Sequence, residues 1–258
     1  MNFRPLSATL LLAVQVAAAD APVNPNGMAS GGFRQHDRDR PQPKAVEPGA
    51  EVSLPAPADA VVLLGADDAA SAKQWKSADW VIKNGVMTCP AIRKGQDQSS
   101  VLTFGDVQLH LEFRIPESLK DRKDQDQGNS GVRFMGKYEL QVLSSHPDCN
   151  KTYADGIAGA VYGENPPMVN PSRRIGAWNA YDVVFRRPHF NGKGECVQKA
   201  VMTVFFNGVL VQDHFEVMGP TSGVPRKPYS AHADKLPLEL QEHASPDEFR
   251  NIWVRELE

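Results

Sequence analysis

The segment Lys137-Tyr-Glu-Leu-Gln-Val-Leu143 alternates in polarity, so an extended strand puts Tyr138, Leu140 and Val142 on one face and Lys137, Glu139 and Gln141 on the other. A carboxylate and an amide then point the same way. Upstream, Gly128-Asn129-Ser130-Gly131 reads as a tight turn, and Arg133 has the parity opposite to Val132 and Phe134, which lets it join that polar face. A second set, Glu239, Gln241 and His243, is spaced by two against Leu238 and Leu240 and could form one rim of a cleft. A histidine there can act as acid or base near neutral pH, and a partner carboxylate would rise in pKa if water were excluded. Solvated outer faces also carry Glu and Gln, and a histidine at a strand end is common on surfaces, so spacing alone leaves both readings open. Tyr162, Trp178 and Tyr229 stand beside Gly, Asn or Pro in expected loops, where rings can stack on sugars, or in the case of Trp178 pack in the core. His232, before Leu236, is either a further site residue or an ordinary loop histidine.

Other chemistries find less support. No His-x-x-x-His or Cys-x-x-Cys pair occurs, and Asp121, Asp124 and Asp126 lie in a Gln- and Lys-rich loop, so no metal is expected beyond a possible divalent cation there. No Gly-x-Gly-x-x-Gly or phosphate loop follows a strand, so no nucleotide cofactor is expected. Lys plus Arg number 28 against 31 for Asp plus Glu, a net charge of -3, which gives no electrostatic footprint for nucleic acid. No apolar run reaches the roughly 20 residues that span a bilayer, which argues against an integral membrane protein.

The elements that must position these residues are strands. In Asp106–Ile115, Val107, Leu109, Leu111, Phe113 and Ile115 share one face of a half-buried strand. Asn207-Gly208 sits between two β-rich runs and predicts a type I′ hairpin. Similar runs at 80–89, 131–143, 181–187, 236–241 and 252–257, broken by Gly, Pro and Asn, leave no room for long amphipathic helices. The fold class expected is all-β: a single jelly-roll sandwich over residues 61–258. Arg4, the apolar run 6–19 and its Ala17-Ala-Ala19 end read as a signal peptide over 1–19, so the protein is expected to be exported, to the periplasm or beyond. Residues 20–60 hold seven of the 20 prolines and one aromatic, Phe33, and read as a disordered linker. Export allows one disulfide among Cys89, Cys149 and Cys196, and loop-like surroundings favour Cys149 with Cys196.

Seven stretches in order, Gly128-Asn-Ser-Gly-Val-Arg133, Tyr138–Leu143, Lys151-Thr-Tyr-Ala-Asp-Gly156 with Ala158–Tyr162, Trp178-Asn-Ala-Tyr-Asp182, Asn207–Val211, Leu236–Gln241 and Phe249–Leu257, resemble the 3-keto-disaccharide hydrolase family of exported bacterial proteins. The resemblance covers most of 60–258 and implies a concanavalin- or glucanase-like jelly roll with carbohydrate across a concave sheet. Where that family typically has Gln-Asp-His, this chain has Gln241-Glu242-His243. A ketone at C3 of a sugar acidifies the C2 proton, so a base can remove it, the C1 aglycone can leave, and water can add back. Glu139 and His243 are the expected proton-transfer pair, in either order. Asn129, Arg133, Gln141 or a bound cation would stabilise the enolate. Tyr162, Trp178, His232 and Gln241 are the further expected substrate contacts, and Lys151, Tyr153 and Asp155 could hold hydroxyls or form a turn. The redox step that makes a 3-keto sugar would belong to a separate sugar-oxidising enzyme. Two alternatives stand beside this: a noncatalytic carbohydrate-binding module on the same fold, and a conventional glycoside hydrolase, for which this strand supplies one carboxylate rather than two.

Overall fold

Short strands and Gly or Asn turns dominate the computed structural model, which describes residues 27–51, 53–92 and 96–258. In chain order the strands are β1 (Lys44–Ala45), β2 (Val61–Leu64), β3 (Val81–Lys83), β4 (Val86–Thr88), β5 (Gln98–Phe104), β6 (Val107–Arg114), β7 (Ser130–Phe134) and β8 (Tyr138–Val142). Then follow β9 (Val169–Asn170), β10 (Trp178–Arg186), β11 (His189–Phe190), β12 (Cys196–Gln198), β13 (Val201–Phe206), β14 (Val209–Glu216), β15 (Leu236–Leu240) and β16 (Glu248–Glu256). One five-residue helix, α1 (Asp68–Ala72), starts at Asp67, whose carboxylate accepts from the N–H groups of Ala69 and Ala70.

Two sheets face each other. The larger runs β14-β13-β10-β6-β16-β4-β3, with β2 also on β16, and the smaller runs β5-β15-β7-β8. Alternation decides what fills the space between them. Leu109, Leu111 and Phe113 of β6, Tyr181, Val183 and Phe185 of β10, and Val132, Phe134, Tyr138 and Leu140 of β7 and β8 are all buried in one core. Phe134 stacks on Phe185 across the two sheets at 4.7 Å, and Tyr181 Oη donates to Gln141 O at 2.6 Å. The all-β sandwich expected from the period-two runs is the architecture found. At the tip of the β13–β14 hairpin, Asn207 and Gly208 adopt φ of 51° and 79°, the left-handed pair that a type I′ turn needs.

Two expectations meet the structure differently, and one is not tested by it. The signal peptide lies outside the described residues. The Pro-rich stretch, from Gly27 onward, is no free linker. Lys44 and Ala45 pair in parallel with Val169 and Asn170, Gln35 and Arg40 are buried, Arg226 donates to Met28 O, and Trp253 Nε1 donates to Leu54 O at 3.1 Å. Composition showed only that this segment lacks a core of its own; it borrows the sandwich's surface instead. It also covers the outer face of the larger sheet, where Ser53 bonds Glu112, so His110 and Glu112 are buried rather than solvated. The second departure is the disulfide: all three cysteines are free. The Cys149 loop leaves the Val142 end of β8, whereas Cys196 lies near Tyr138 at the other end. Five strand residues, at about 3.3 Å each, separate those ends, beyond the roughly 7 Å between Cα atoms that a disulfide tolerates.

Candidate active site

Three neighbouring strands of the smaller sheet set out the site in rows. Glu239 of β15 pairs with Arg133 of β7, and Arg133 with Glu139 of β8. One step along, Gly131 pairs with Gln141, and Gln241 N donates to Gly131 O at 2.9 Å. Period two puts all these side chains on the face away from the core. Gly131 is glycine for a steric reason: a Cβ there would run into the Glu139 carboxylate, which lies across it.

Glu139 forms the floor and is only 2% exposed. Its carboxylate accepts from Arg133 Nε at 3.2 Å, and Arg133 Nη1 donates to Asp97 at 2.6 Å. Burial pushes the Glu139 carboxyl above the usual range, against the opposing pull of the Arg133 charge. Beside it, Gln141 Nε2 donates to Gln125 Oε1 at 3.0 Å and to Gly156 O at 3.2 Å, and Asn129 Nδ2 donates to the same Gln125 oxygen at 3.2 Å. The side-chain oxygens of Gln141 and Gln241 are buried with no partner among the described residues. Arg133, Asp97, Gln125 and Gln241 are half-buried around this floor.

An aromatic wall closes one side. Tyr162 N donates to Glu139 O at 3.1 Å, and the Tyr162 and Tyr153 hydroxyls are 2.7 Å apart. Burial raises both phenols, Tyr162 with added repulsion from Glu139. On Tyr153 stacks His36, ring centroids 4.4 Å apart and 24° from parallel. His36 comes from the N-terminal strap, residues 27–51. It sits at φ 62°, an uncommon conformation for a residue with a Cβ, and its main-chain N–H donates to Asp155 at 3.0 Å. Asp155 is fully buried, which raises its carboxyl, and burial lowers the His36 imidazole against the pull of Asp155.

The structure thus brings Glu139, Arg133, Gln141, Asn129, Gln241 and Tyr162 together. His243 follows Gln241 by two residues, in the half-buried turn beyond β15. Trp178 does not join them. It opens β10 on the outer face of the other sheet, its ring under the guanidinium groups of Arg114 and Arg250 at 4.6 and 4.1 Å. His232 is also elsewhere: its Nδ1 donates to Ala233 O, leaving Nε2 to accept from Tyr138 Oη at 2.8 Å, on the core side of β8. Tyr229 spends its hydroxyl on Val217 O and Ala200 N and packs rather than projects. Asp124 bonds Thr152 and Arg38, and no group of three or more His, Cys, Asp or Glu placed for a metal occurs among the described residues. Sequence reasoning missed Asp97, Gln125 and His36. Their partners are remote in the chain, and no local pattern marks them.

Over residues 60–255 the chain matches the family described as the 3-keto-alpha-glucoside-1,2-lyase-like domain. A crystal structure of a proposed glycosyl hydrolase from Parabacteroides distasonis is 33% identical, with a TM-score of 0.73, covering 88% of this chain and 98% of that one. A second proposed glycosyl hydrolase from the same organism, 16% identical at TM-score 0.53 with coverage of 77% and 94%, shares the fold. No curated protein matches the chain.

Proposed function

The chain belongs to the 3-keto-alpha-glucoside-1,2-lyase-like domain family and is a carbohydrate-active, glycosyl-hydrolase-like protein, and from that premise we propose that it cleaves the glycosidic bond of 3-keto glycosides by elimination and hydration. The observation that carries the reading is Glu139: a buried carboxyl raised by desolvation, resting against one guanidinium, on the floor of a polar face. A carboxyl raised in this way is a better proton acceptor than an ordinary one and can return the proton it takes. In the first half-reaction, the C2–H proton goes to a base, its electron pair forms the C1–C2 double bond, and the C1–O bond breaks with a proton delivered to the departing oxygen. In the second, water adds across C1–C2 and yields the free 3-keto sugar. Glu139 and His243 handle the protons. Arg133, in hydrogen-bond reach of the same floor, stabilises charge on the C3 oxygen. Asn129, Gln141, Gln241 and Tyr162 hold hydroxyls, the two unpartnered amide oxygens being ready acceptors.

Asp97 favours a second reading. It places another carboxylate on the guanidinium that Glu139 uses, and a conventional hydrolase needs two carboxyl groups. Product release from 3-keto disaccharides and their unoxidised parents tests the pair. Turnover confined to the keto sugars is expected; turnover of the parents would replace elimination with ordinary hydrolysis, and saturable binding without turnover would leave a binding module.

A further inference from the structure

Past Val142 the polar side of β8 leads to a cavity of about 560 Å3 between the strap and the loop 144–152. That volume falls in the roughly 300–1,000 Å3 range of small-molecule sites. Pro43, Pro147 and Ile157 give it apolar wall, and Arg38 and Lys151 give it charge. Among the described residues no carboxylate belongs to the lining. Arg38 is paired outside it with Asp124, and Asp148, which adjoins the lining residue Pro147, is held by Arg174. The Lys151 ammonium is exposed and has no ion pair among the described residues. A cation with no ion pair among the described residues therefore stands at the edge of a partly apolar cavity, available for a charge-assisted hydrogen bond.

A chain of hydrogen bonds links the lining of this cavity to the Glu139 floor. Thr152, part of its lining, accepts from Gln125 Nε2 at 2.9 Å, and Gln125 Oε1 accepts from Gln141 at 3.0 Å. That chain gives the direction in which a ligand with one sugar over Glu139 and Gln141 would extend its next unit. Resting on the glycoside reading above, we propose that this cavity is the subsite for the second saccharide unit, and that this unit carries an anionic substituent, a carboxylate or sulfate, held by Lys151. Nothing is cleaved in the cavity; it selects and orients.

The test is calorimetric titration of the full chain with three unoxidised disaccharides that differ only in the second unit: neutral, uronate and sulfated. The same titrations use Lys151→Glu and Lys151→Arg, with thermal melts to check folding, beside turnover of 3-keto disaccharides. One charge-assisted contact corresponds to about a tenfold preference or more. An acidic disaccharide is therefore expected to bind at least that much tighter than the neutral one, with the preference erased in Lys151→Glu, kept in Lys151→Arg and narrowed by salt. A gain for only one of the two anions supports the subsite and names its substituent. Equal binding of all three, or a preference that survives Lys151→Glu, overturns the subsite while 3-keto turnover leaves the proposed function standing. No saccharide binding and no turnover overturn both.

Discussion

Replacing Glu139 by Gln should separate catalysis from stability. The substitution conserves shape, so the group still fits across Gly131, and its oxygen can still accept from Arg133 Nε. Removing one partner of a buried ion pair can cost about 3–5 kcal/mol when the other charge is stranded. Here it is not stranded, because Arg133 keeps Asp97 at 2.6 Å and is itself only half-buried. The carboxyl, moreover, is raised in the folded protein. A raised folded value means that this group favours folding most below the ordinary carboxylate range, and the benefit is lost as pH rises through the folded value. Gln carries no such penalty. Unfolding free energy at pH 5 should therefore lie within about 1 kcal/mol of the parent, and the thermal midpoint at pH 8 should be equal or higher. Turnover of a 3-keto disaccharide should fall by about 10²–10⁴. Turnover within about threefold of the parent would remove Glu139 from the proton path. A large drop in midpoint at both pH values, with activity lost in proportion to unfolding, would make it a structural ion-pair partner instead.

Asp247 offers a cleaner pH signature: it is fully buried, one oxygen has no partner, and burial pushes it up to about 7. Stability should fall as pH rises from the ordinary carboxylate range toward that value, by up to about 1.4 kcal/mol per pH unit, and Asp247→Asn should flatten the slope in denaturant melts; an unchanged slope refutes the assignment. His36→Asn deletes the ring stacked on Tyr153 while keeping a residue type that tolerates positive φ. It should cost about 1 kcal/mol and speed limited proteolysis within 27–45, and unchanged cleavage would mean that the ring does not anchor the strap. With all cysteines free, thiol labelling of the native nonreduced protein should modify Cys149 and Cys196, with Cys89, 2% exposed and raised by burial, reacting only on unfolding; fewer than two labels would restore the disulfide.

Period two made the sandwich readable, because strands such as Val107–Arg114 and Tyr138–Val142 each bury every second residue in one core. The same parity placed Glu139, Gln141 and Arg133 on one face, since register is set within a single hairpin, β7 to β8. It extended to Gln241 only because β15 happens to pair with β7. Trp178 and His232 show where the method ends. Both sit beside Gly, Pro or Ala in expected loops, yet one lies on the outer face of the opposite sheet and the other caps Tyr138 from the core side. Loop composition says that a ring is near the surface, not which surface.

The strap carries the larger lesson. Composition argues that residues 20–60 lack a core of their own, but folding alone is not required of a segment whose partners are preformed. Glu164 O accepts from Ser30 N, Asp155 from His36 N, Asp124 from Arg38, Thr152 O from Gln42 and Asn170 O from Val46, so that the connection before β7, the long connection from β8 to β9 and β9 itself hold it at five points. Those loops include the ones that wall the Glu139 floor and the cavity beyond β8. Holding His36 at positive φ and burying Asp155 both work against stability, and both fall where strap meets site. Costs that a fold could avoid, gathered on one face, are what a binding surface looks like from the side of energetics. On that argument the site begins with the strap rather than with the jelly roll, and a chain shortened to residues 60–258 should keep its sheets while losing one wall of the site.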